Sequence, residues 1–588
     1  MTPSLTALFM AILCSIVGVV PLVLFRKTSA AVIMSVVTGI ILWGIFYAST
    51  PSLAWPMFGG VGFVLIILWT ISAFINCMIE DKFTHAVWFP IVLAVVFMGR
   101  GCAGCNAFRA SEYAGLIGQF EEKEWTQDVQ PASPKHIRIV PFELAGFLAD
   151  KQLSQAPGAI GSQFFVDKTR AVIQRIKGEF WWVIPLDYQG FTVWQSVESA
   201  PGYIMVHADD PHYPPVLKHQ EKFVYTPNAY FDKNLERHLW NNGYMFKGLT
   251  DYTLEIDDED KPWWVVTVYE PTIAFWGKKI LGVVVVDPTT GMYAFHPADK
   301  IPDWIDRAVP SAFINNYISE WGVLKSGWLN SWWEKKDLVE PEEQEFVYGS
   351  DNEPYWVTRI TSTSQADEAV IGMFYTNSRT GKSTKYHAVG ATDRAILQVV
   401  DSKVSFRKLH GVAPTIYNIY GVMTSVVPLL GSSHVFQGIA LVNVENQQFV
   451  VAENLTDALR EYQRMLAGSG NQMAPETIHS MVEIRGIVDR FADEVRNSHT
   501  IYYLHLTDVP QLFTGGSDNL SSPKLPLTIV GDSVIMSYIP SGEDVVPIMK
   551  FDNTSLLLNT TLNQDTVRLK EEEFRDKNAS QEESAQPR

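Results

Sequence analysis

His207-Ala-Asp-Asp-Pro-His212 places two imidazoles and two carboxylates within six residues. Side chains of these types ligate Zn²⁺ and similar ions, so His207, Asp209, Asp210 and His212 are the sharpest metal-site candidates, and a metal-dependent hydrolase is the chemistry they would serve. The same Asp-Asp-Pro run is also an ordinary strand-ending turn, in which histidine is tolerated. Glu255–Asp260 packs five carboxylates into six residues. It lacks the alternation and the central glycine of a calcium loop and reads as a solvated hairpin turn before Trp263. Cys102-Ala-Gly-Cys105 has the spacing of a redox pair or half a metal site, but no second such pair completes it. Gly431-Ser-Ser-His434 sets hydroxyls beside an imidazole, although adjacent residues rarely hold the geometry of a triad. No phosphate loop, dinucleotide fingerprint, HExxH or GxSxG occurs. No catalytic residue and no cofactor is therefore expected, and the chain reads as a non-enzyme.

The elements that would position these residues fall into two chemically different parts. The chain has 588 residues, 47% of them hydrophobic, and a formal net charge of −18. Residues 1–108 hold four basic and two acidic groups, so residues 109–588 carry −20. An acidic body of this kind excludes general nucleic-acid binding, which needs clustered Lys and Arg to displace counterions. All four cysteines lie within the first 105 residues, so the body's stability owes nothing to disulfides.

In the apolar head, four runs (about Ser4–Phe25, Ala30–Ser49, Met57–Met78 and Thr84–Phe108) approach the ~20 residues that cross a bilayer. They predict a four-helix transmembrane anchor that contacts the lipid bilayer through residues 1–108. Arg26 and Lys27 in the first loop, with Lys82 in the third, place those loops in the cytoplasm and the body outside. The expected location is the cytoplasmic (inner) membrane, multi-pass, with residues 109–588 extracytoplasmic.

From Ile137 a different pattern recurs. Glu179-Phe-Trp-Trp-Val, Lys261-Pro-Trp-Trp-Val and Glu353-Pro-Tyr-Trp-Val align on Trp182, Trp264 and Trp356, at spacings of 82 and 92 residues. A strand, a turn and a second strand follow. Val283–Asp287 leads through Pro-Thr-Thr-Gly to Met292–Phe295, and Ile371–Asn377 leads through Ser-Arg-Thr-Gly to Lys382–His387; Gly438–Val451 is a weaker fourth copy. Asp287 and Asn377 can close turns with their side chains, and Gly291 and Gly381 supply positive φ. Helical spacing joins Leu144, Leu148 and Leu153; Phe231, Leu235 and Leu239; Phe313, Tyr317 and Trp321; and Leu455, Leu459, Tyr462 and Leu466. Units of this size with one helix and one sheet predict tandem α+β modules.

A helix followed by antiparallel strands ending in an apolar run and Asp-Pro-x-x-Gly resembles the PepSY-type module. Phe108–Tyr113, Glu255–Trp263, Pro302–Arg307, Tyr355-Trp356 and Thr380-Gly381 extend the resemblance to an uncharacterised family of bacterial and phage multi-pass membrane proteins. The resemblance covers about residues 108–470. It implies modules that bind or inhibit peptidases or act as extracytoplasmic interaction domains, and it transfers no binding residues.

The expected organisation is an anchor (1–108), four α+β modules (109–220, 221–310, 311–405 and 406–475), a small OB-like β-barrel (476–565) and a disordered tail (566–588). The barrel rests on five short strands: Met481–Val488, Ile501–Leu506, Leu525–Val530, Asp532–Tyr538 and Val545–Phe551. The expected fold class is thus a membrane-anchored α+β protein. Its expected function is an interaction or scaffold protein of the cell envelope with an unknown protein or envelope partner. A metal-dependent envelope hydrolase and a small transporter accessory subunit are the alternatives.

Overall fold

The computed structural model describes residues 28–50, 102–132, 137–349, 351–363, 369–468, 482–496, 499–516, 523–538, 545–548 and 550–556, with scattered positions before residue 102. The described residues are rich in β-structure, with 26 strands in five sheets. They divide into two compact units, Met1–Ala458 and Leu459–Arg588.

The expected anchor of four transmembrane helices, and with it the multi-pass reading, is corrected. Among the described residues one helix, Thr28–Ser49, is long and apolar enough to cross a membrane, through its window Val32–Ser49. The runs Ser4–Phe25, Met57–Met78 and Thr84–Phe108 lie largely outside the described residues. One N-terminal apolar helix thus has the length and composition of a membrane anchor or a signal sequence. Most of its side chains are exposed, including Val32, Ile33, Ile40 and Ile41, while Leu42 and Phe46 are buried.

Four modules build the first unit. The first has the helix Phe142–Ser154 beside a five-stranded sheet centred on Glu179–Tyr188. The second is a four-stranded antiparallel sheet of Gly248–Ile256, Pro262–Thr272, Gly277–Val286 and Tyr293–Pro297, with the short helix Leu235–Leu239 before it. The third pairs the helix Ser311–Leu324 with strands Val339–Tyr348, Pro354–Ser362, Ala369–Asn377 and Ser383–His387. Phe120–Glu124 adds to its edge in parallel with Ser383–His387. In the fourth, the helix Asp393–Val404 precedes the sheet centred on Val422–Gly431 and Phe436–Asn443. Ala395, Ile396, Val400 and Val404 share a core with Ile416, Val427, Leu429 and Val442 of that sheet. The boundary expected at 405/406 therefore runs between this helix and the strands it covers.

One device recurs in the second, third and fourth modules. In the second, Asp287 N–H donates to Met292 O (2.8 Å) and Gly291 N–H donates back to Asp287 O (2.9 Å). Asp287 Oδ1 meanwhile accepts from the amides of Thr289 and Thr290 at 2.8 and 3.0 Å. Asn377 does the same with Lys382, Gly381, Arg379 and Thr380, and Asn443 with Gln448, Gln447, Glu445 and Asn446. The carbonyl after each of these residues then receives the segment that leads into the module's helix. Pro288 O accepts from Val224 and Tyr225, Ser378 O from Ala308 and Val309, and Val444 O from Ala391. The aligned tryptophans bind the same segments from the sheet side: Nε1–H of Trp182, Trp264 and Trp356 donates to Val140 O, Tyr225 O and Val309 O at 3.0, 2.9 and 2.9 Å. A buried indole needs an acceptor, and a segment entering a helix has carbonyls to offer.

In the second unit six strands pair in the linear order Val545–Pro547, Leu512–Gly516, His499–Leu506, Val482–Arg496, Ser533–Tyr538 and Lys550–Asn553. The 15-residue strand Val482–Arg496 serves two partners, Ser533–Tyr538 with its first half and His499–Leu506 with its second. Both halves close over one core that includes Val488, Leu504, Phe513 and Met536. Leu525–Leu527, expected within a strand, forms a 3₁₀ turn around Pro526, whose ring removes a ladder donor. The tail 566–588 lies outside the described residues.

Candidate functional site

His207 occupies the position of Asp287, Asn377 and Asn443 in the first module. It ends the strand Tyr203–His207, and the next carbonyl, Ala208 O, accepts from Ile139 (3.1 Å) and Val140 (2.9 Å), the segment before the helix. Its Nδ1 accepts from the amides of Asp209 (3.3 Å) and Asp210 (3.1 Å), as Asp287 Oδ1 does with Thr289 and Thr290. An imidazole nitrogen makes the side-chain bonds of that turn without its backbone closure, because Pro211 stands where Gly291 does and has no N–H to donate. The remaining candidates point elsewhere. Asp210 Oδ1 accepts from His212 N–H at 2.8 Å, and the His212 ring lies edge-on to Phe436. Asp209 turns inward, and its Oδ1 is buried with no hydrogen-bond partner among the described residues. Burial pushes its carboxyl up to about 8, against the pull of Arg138. The described residues contain no group of three or more His, Cys, Asp or Glu side chains able to hold a metal ion.

The other sequence candidates also resolve into turns. Asp257 Oδ1 accepts from Glu259 and Lys261 amides, both at 2.9 Å, and its Oδ2 from Trp263 Nε1 at 2.8 Å, which closes the carboxylate-rich hairpin. Gly431–His434 links two strands, with His434 N–H donating to Gly431 O at 3.0 Å. Cys102 and Cys105 are exposed thiols.

Glu255 belongs to a different arrangement, which no local motif announced. It lies on the inward face of Gly248–Ile256, where its Oε2 accepts from Asp306 N–H (2.7 Å) and its Oε1 from Thr253 Oγ1 (3.1 Å). Asp306 Oδ2 accepts from Tyr348 Oη at 2.6 Å, and Asp306 Oδ1 from Arg379 at 3.2 Å. Arg379 also holds Glu353 and the carbonyls of Asp303 and Ile305. From the first module, Arg175 N–H donates to Tyr348 Oη (2.9 Å), and Gln174 exchanges hydrogen bonds with the Ile256 backbone (2.7 and 2.8 Å). Burial drives the Glu255 carboxyl from 4.5 up to about 8, with the Asp306 charge adding to it; burial likewise raises Asp306 to about 6. This buried network fastens three modules together.

Beside it lies a cavity of about 410 Å³, within the size range of small-ligand sites. Its walls come from the turn Gly115–Ile117, the strand Gly277–Val286, the helix Ser311–Leu324 and the turn around Thr380. Ile273, Ile280, Ile301 and Ile314 supply apolar surface, and Lys278, Lys279 and Glu112 are the charged residues beside them. Lys278 Nζ lies 4.9 Å from the Phe313 ring centre and 5.4 Å from that of Tyr269, so the rings hold the cation in place. Arg379 also lines the cavity but spends its donors on the network. The resulting surface is apolar with charged residues at its edge. Sequence reasoning missed this site because its walls come from separate stretches spread between Glu112 and Ser383, beyond the reach of any local pattern. The one local signal was Lys278-Lys279, a basic pair opening an otherwise apolar strand.

No protein-family model matches the chain, and no curated protein matches it.

Proposed function

We propose that this chain is a membrane-anchored interaction protein of the cell envelope, and not a catalyst. Its tandem modules, PepSY-like in their order of helix and strands, hold a segment of a partner protein in the seam cavity. The helix Thr28–Ser49 fixes the body to the cytoplasmic membrane, and the acidic remainder lies on the outer side. The observation that carries this reading is the cavity itself: isoleucines along its walls, with Lys278 and Lys279 among its lining residues, suit a short apolar peptide stretch with a carboxylate. Binding proteins use such concave, largely apolar sites with a few charged groups to fix orientation.

The test is position-specific photo-crosslinking in intact cells. A crosslinker at Thr380, on the cavity rim, yields a discrete protein adduct; one at the exposed Ser402, on the fourth module's helix, does not. Filling the cavity with Ile280→Trp abolishes the Thr380 adduct. Equal labelling at both positions, or an adduct indifferent to Ile280→Trp, overturns the reading. Protease added to spheroplasts of the same cells digests the body, and full protection overturns the outward placement.

A further inference from the structure

Two separate contacts place one end of the second module next to the anchor. The hairpin of Pro262–Thr272 and Gly277–Val286 closes at Ile273–Trp276. Near this tip, Lys247 pairs with Glu270 (3.5 Å), and its carbonyl accepts from Ser52 Oγ (2.8 Å), just beyond the end of the apolar helix. Arg237 donates to Tyr47 O (3.0 Å) within the last turn of that helix. The tip itself packs on Gly104: a Cβ there would lie 2.2 Å from the Trp276 ring.

The helix Ser311–Leu324 runs toward the same end. Phe313 meets Tyr269, which pairs with Ile280; one turn later Tyr317 Oη donates to Lys278 O (2.7 Å), which pairs with Pro271. The register thus steps from Ile280 to Lys278, closer to the tip, in one helical turn, and Leu324 lies roughly 10 Å further along. Beyond the helix the chain reads Gly327-Trp-Leu-Asn-Ser-Trp-Trp-Glu-Lys-Lys336. Trp332, Trp333 and Leu329 are 64%, 76% and 67% exposed, and Trp328 is 38% exposed. These rings are held out by a built turn. The buried Asn330 donates to Lys336 O (2.9 Å) and accepts from Lys336 N–H (3.1 Å), and Lys335 takes a left-handed φ of 52°. Trp328 and Trp332 stack with centroids 6.3 Å apart. Trp276 and Phe246, at 58% and 61%, are exposed at the same end.

We infer that the turn Trp328–Trp333 is a second membrane contact, which seats the body in the headgroup region of the bilayer and fixes its tilt about the anchor. Indole rings partition to the membrane–water interface because an apolar body and an N–H donor each find their medium there. Lys335 and Lys336 flank the rings with stems long enough to reach lipid phosphates, Lys336 also pairing with Glu334 (2.9 Å), while Lys325 lies over the Trp321 ring. A water-exposed cluster of three tryptophans is otherwise an aggregation liability.

The inference rests on the anchor reading of Thr28–Ser49, and the experiment separates the two. The full-length protein and its Trp328→Phe/Trp332→Phe/Trp333→Phe variant are reconstituted into phosphatidylcholine/phosphatidylglycerol vesicles, with and without acyl-brominated lipid. Both proteins float with the vesicles after alkaline extraction; failure to float overturns the anchor and the inference with it. The wild-type-minus-variant emission isolates the three rings. It is expected blue-shifted and at least twofold quenched by brominated lipid. Floating vesicles with an unquenched, water-like difference emission overturn the membrane contact while leaving the anchor standing. The single variant Trp333→Phe gives the same readout should the triple variant misfold.

Discussion

His207 shows how one residue type can be read in two chemistries. As a ligand it would present a free ring nitrogen to a metal; as a turn former it presents Nδ1 to two backbone amides. The structure places Nδ1 on Asp209 and Asp210 N–H, in the position that Asp287, Asn377 and Asn443 fill elsewhere. His207→Asn should therefore keep the stability of the wild type, because an Asx side chain performs the same bonds. His207→Ala should cost about 1 kcal/mol, the usual value of such hydrogen bonds, and His212→Ala should cost less. Chemical denaturation measures all three. Equal loss in His207→Asn and His207→Ala, together with loss of stoichiometric bound metal from the purified protein, would favour the hydrolase reading instead.

At the scale of elements, the repeated turn explains both what was legible and what was not. Asp287-Pro-Thr-Thr-Gly291 and Asn377-Ser-Arg-Thr-Gly381 announce themselves because a side-chain cap and a positive-φ glycine are written in consecutive residues. Gly291 and Gly381 have φ of 72° and 74°. In the fourth copy the same place is taken by Gln447 at φ 59°. An L-residue there carries a left-handed penalty of about 1–2 kcal/mol, part of which is offset by the greater unfolded-state freedom of glycine. Gln447→Gly should raise stability by about 0.5–1 kcal/mol, seen as a higher denaturation midpoint with an unchanged slope; a lower midpoint would refute the equivalence of the copies. The helix Asp393–Val404 escaped the sequence reading although its signal was present: Thr392 Oγ1 accepts from Ala395 N–H (3.3 Å), and Ile396, Val400 and Val404 follow at helical spacing. The helices Phe142–Ser154, Ser311–Leu324 and Leu455–Gly468 were legible from leucine and aromatic spacing alone.

At the scale of the whole molecule, the buried network sets a pH dependence. Glu255 is fully enclosed, and its carboxyl titrates near 8 in the folded protein against about 4.5 when unfolded. Between those values the folded state binds more protons than the unfolded one, so stability falls as pH rises through about 4.5 to 8. Asp306 acts in the same direction over a lower window, up to about 6. Glu255→Gln should flatten this decline and leave the variant more stable than wild type at about pH 8. A glutamine can accept from Asp306 N–H and donate to Thr253 Oγ1, so the hydrogen bonds survive without the charge. Thermal unfolding of both proteins from about pH 5 to 8 measures it, and parallel curves would exclude Glu255 as the titrating group.

Local sequence is enough to specify the strand pairings within each hairpin. Period-two apolar runs, turn residues in fixed order and the Trp spacing encode pairings between near neighbours in the chain. Local sequence also marks one N-terminal helix with membrane-spanning length, while the four-span reading followed hydropathy alone and gave way to a single such helix among the described residues. Tertiary structure decided the rest. Glu255, Asp306, Tyr348 and Arg379 meet across three modules, and Gly115–Ile117, Lys278, Ile314 and Thr380 enclose one cavity. Those encounters depend on how finished sheets and helices pack. Packing is governed by shape and burial summed over distant residues, and no local spacing encodes it.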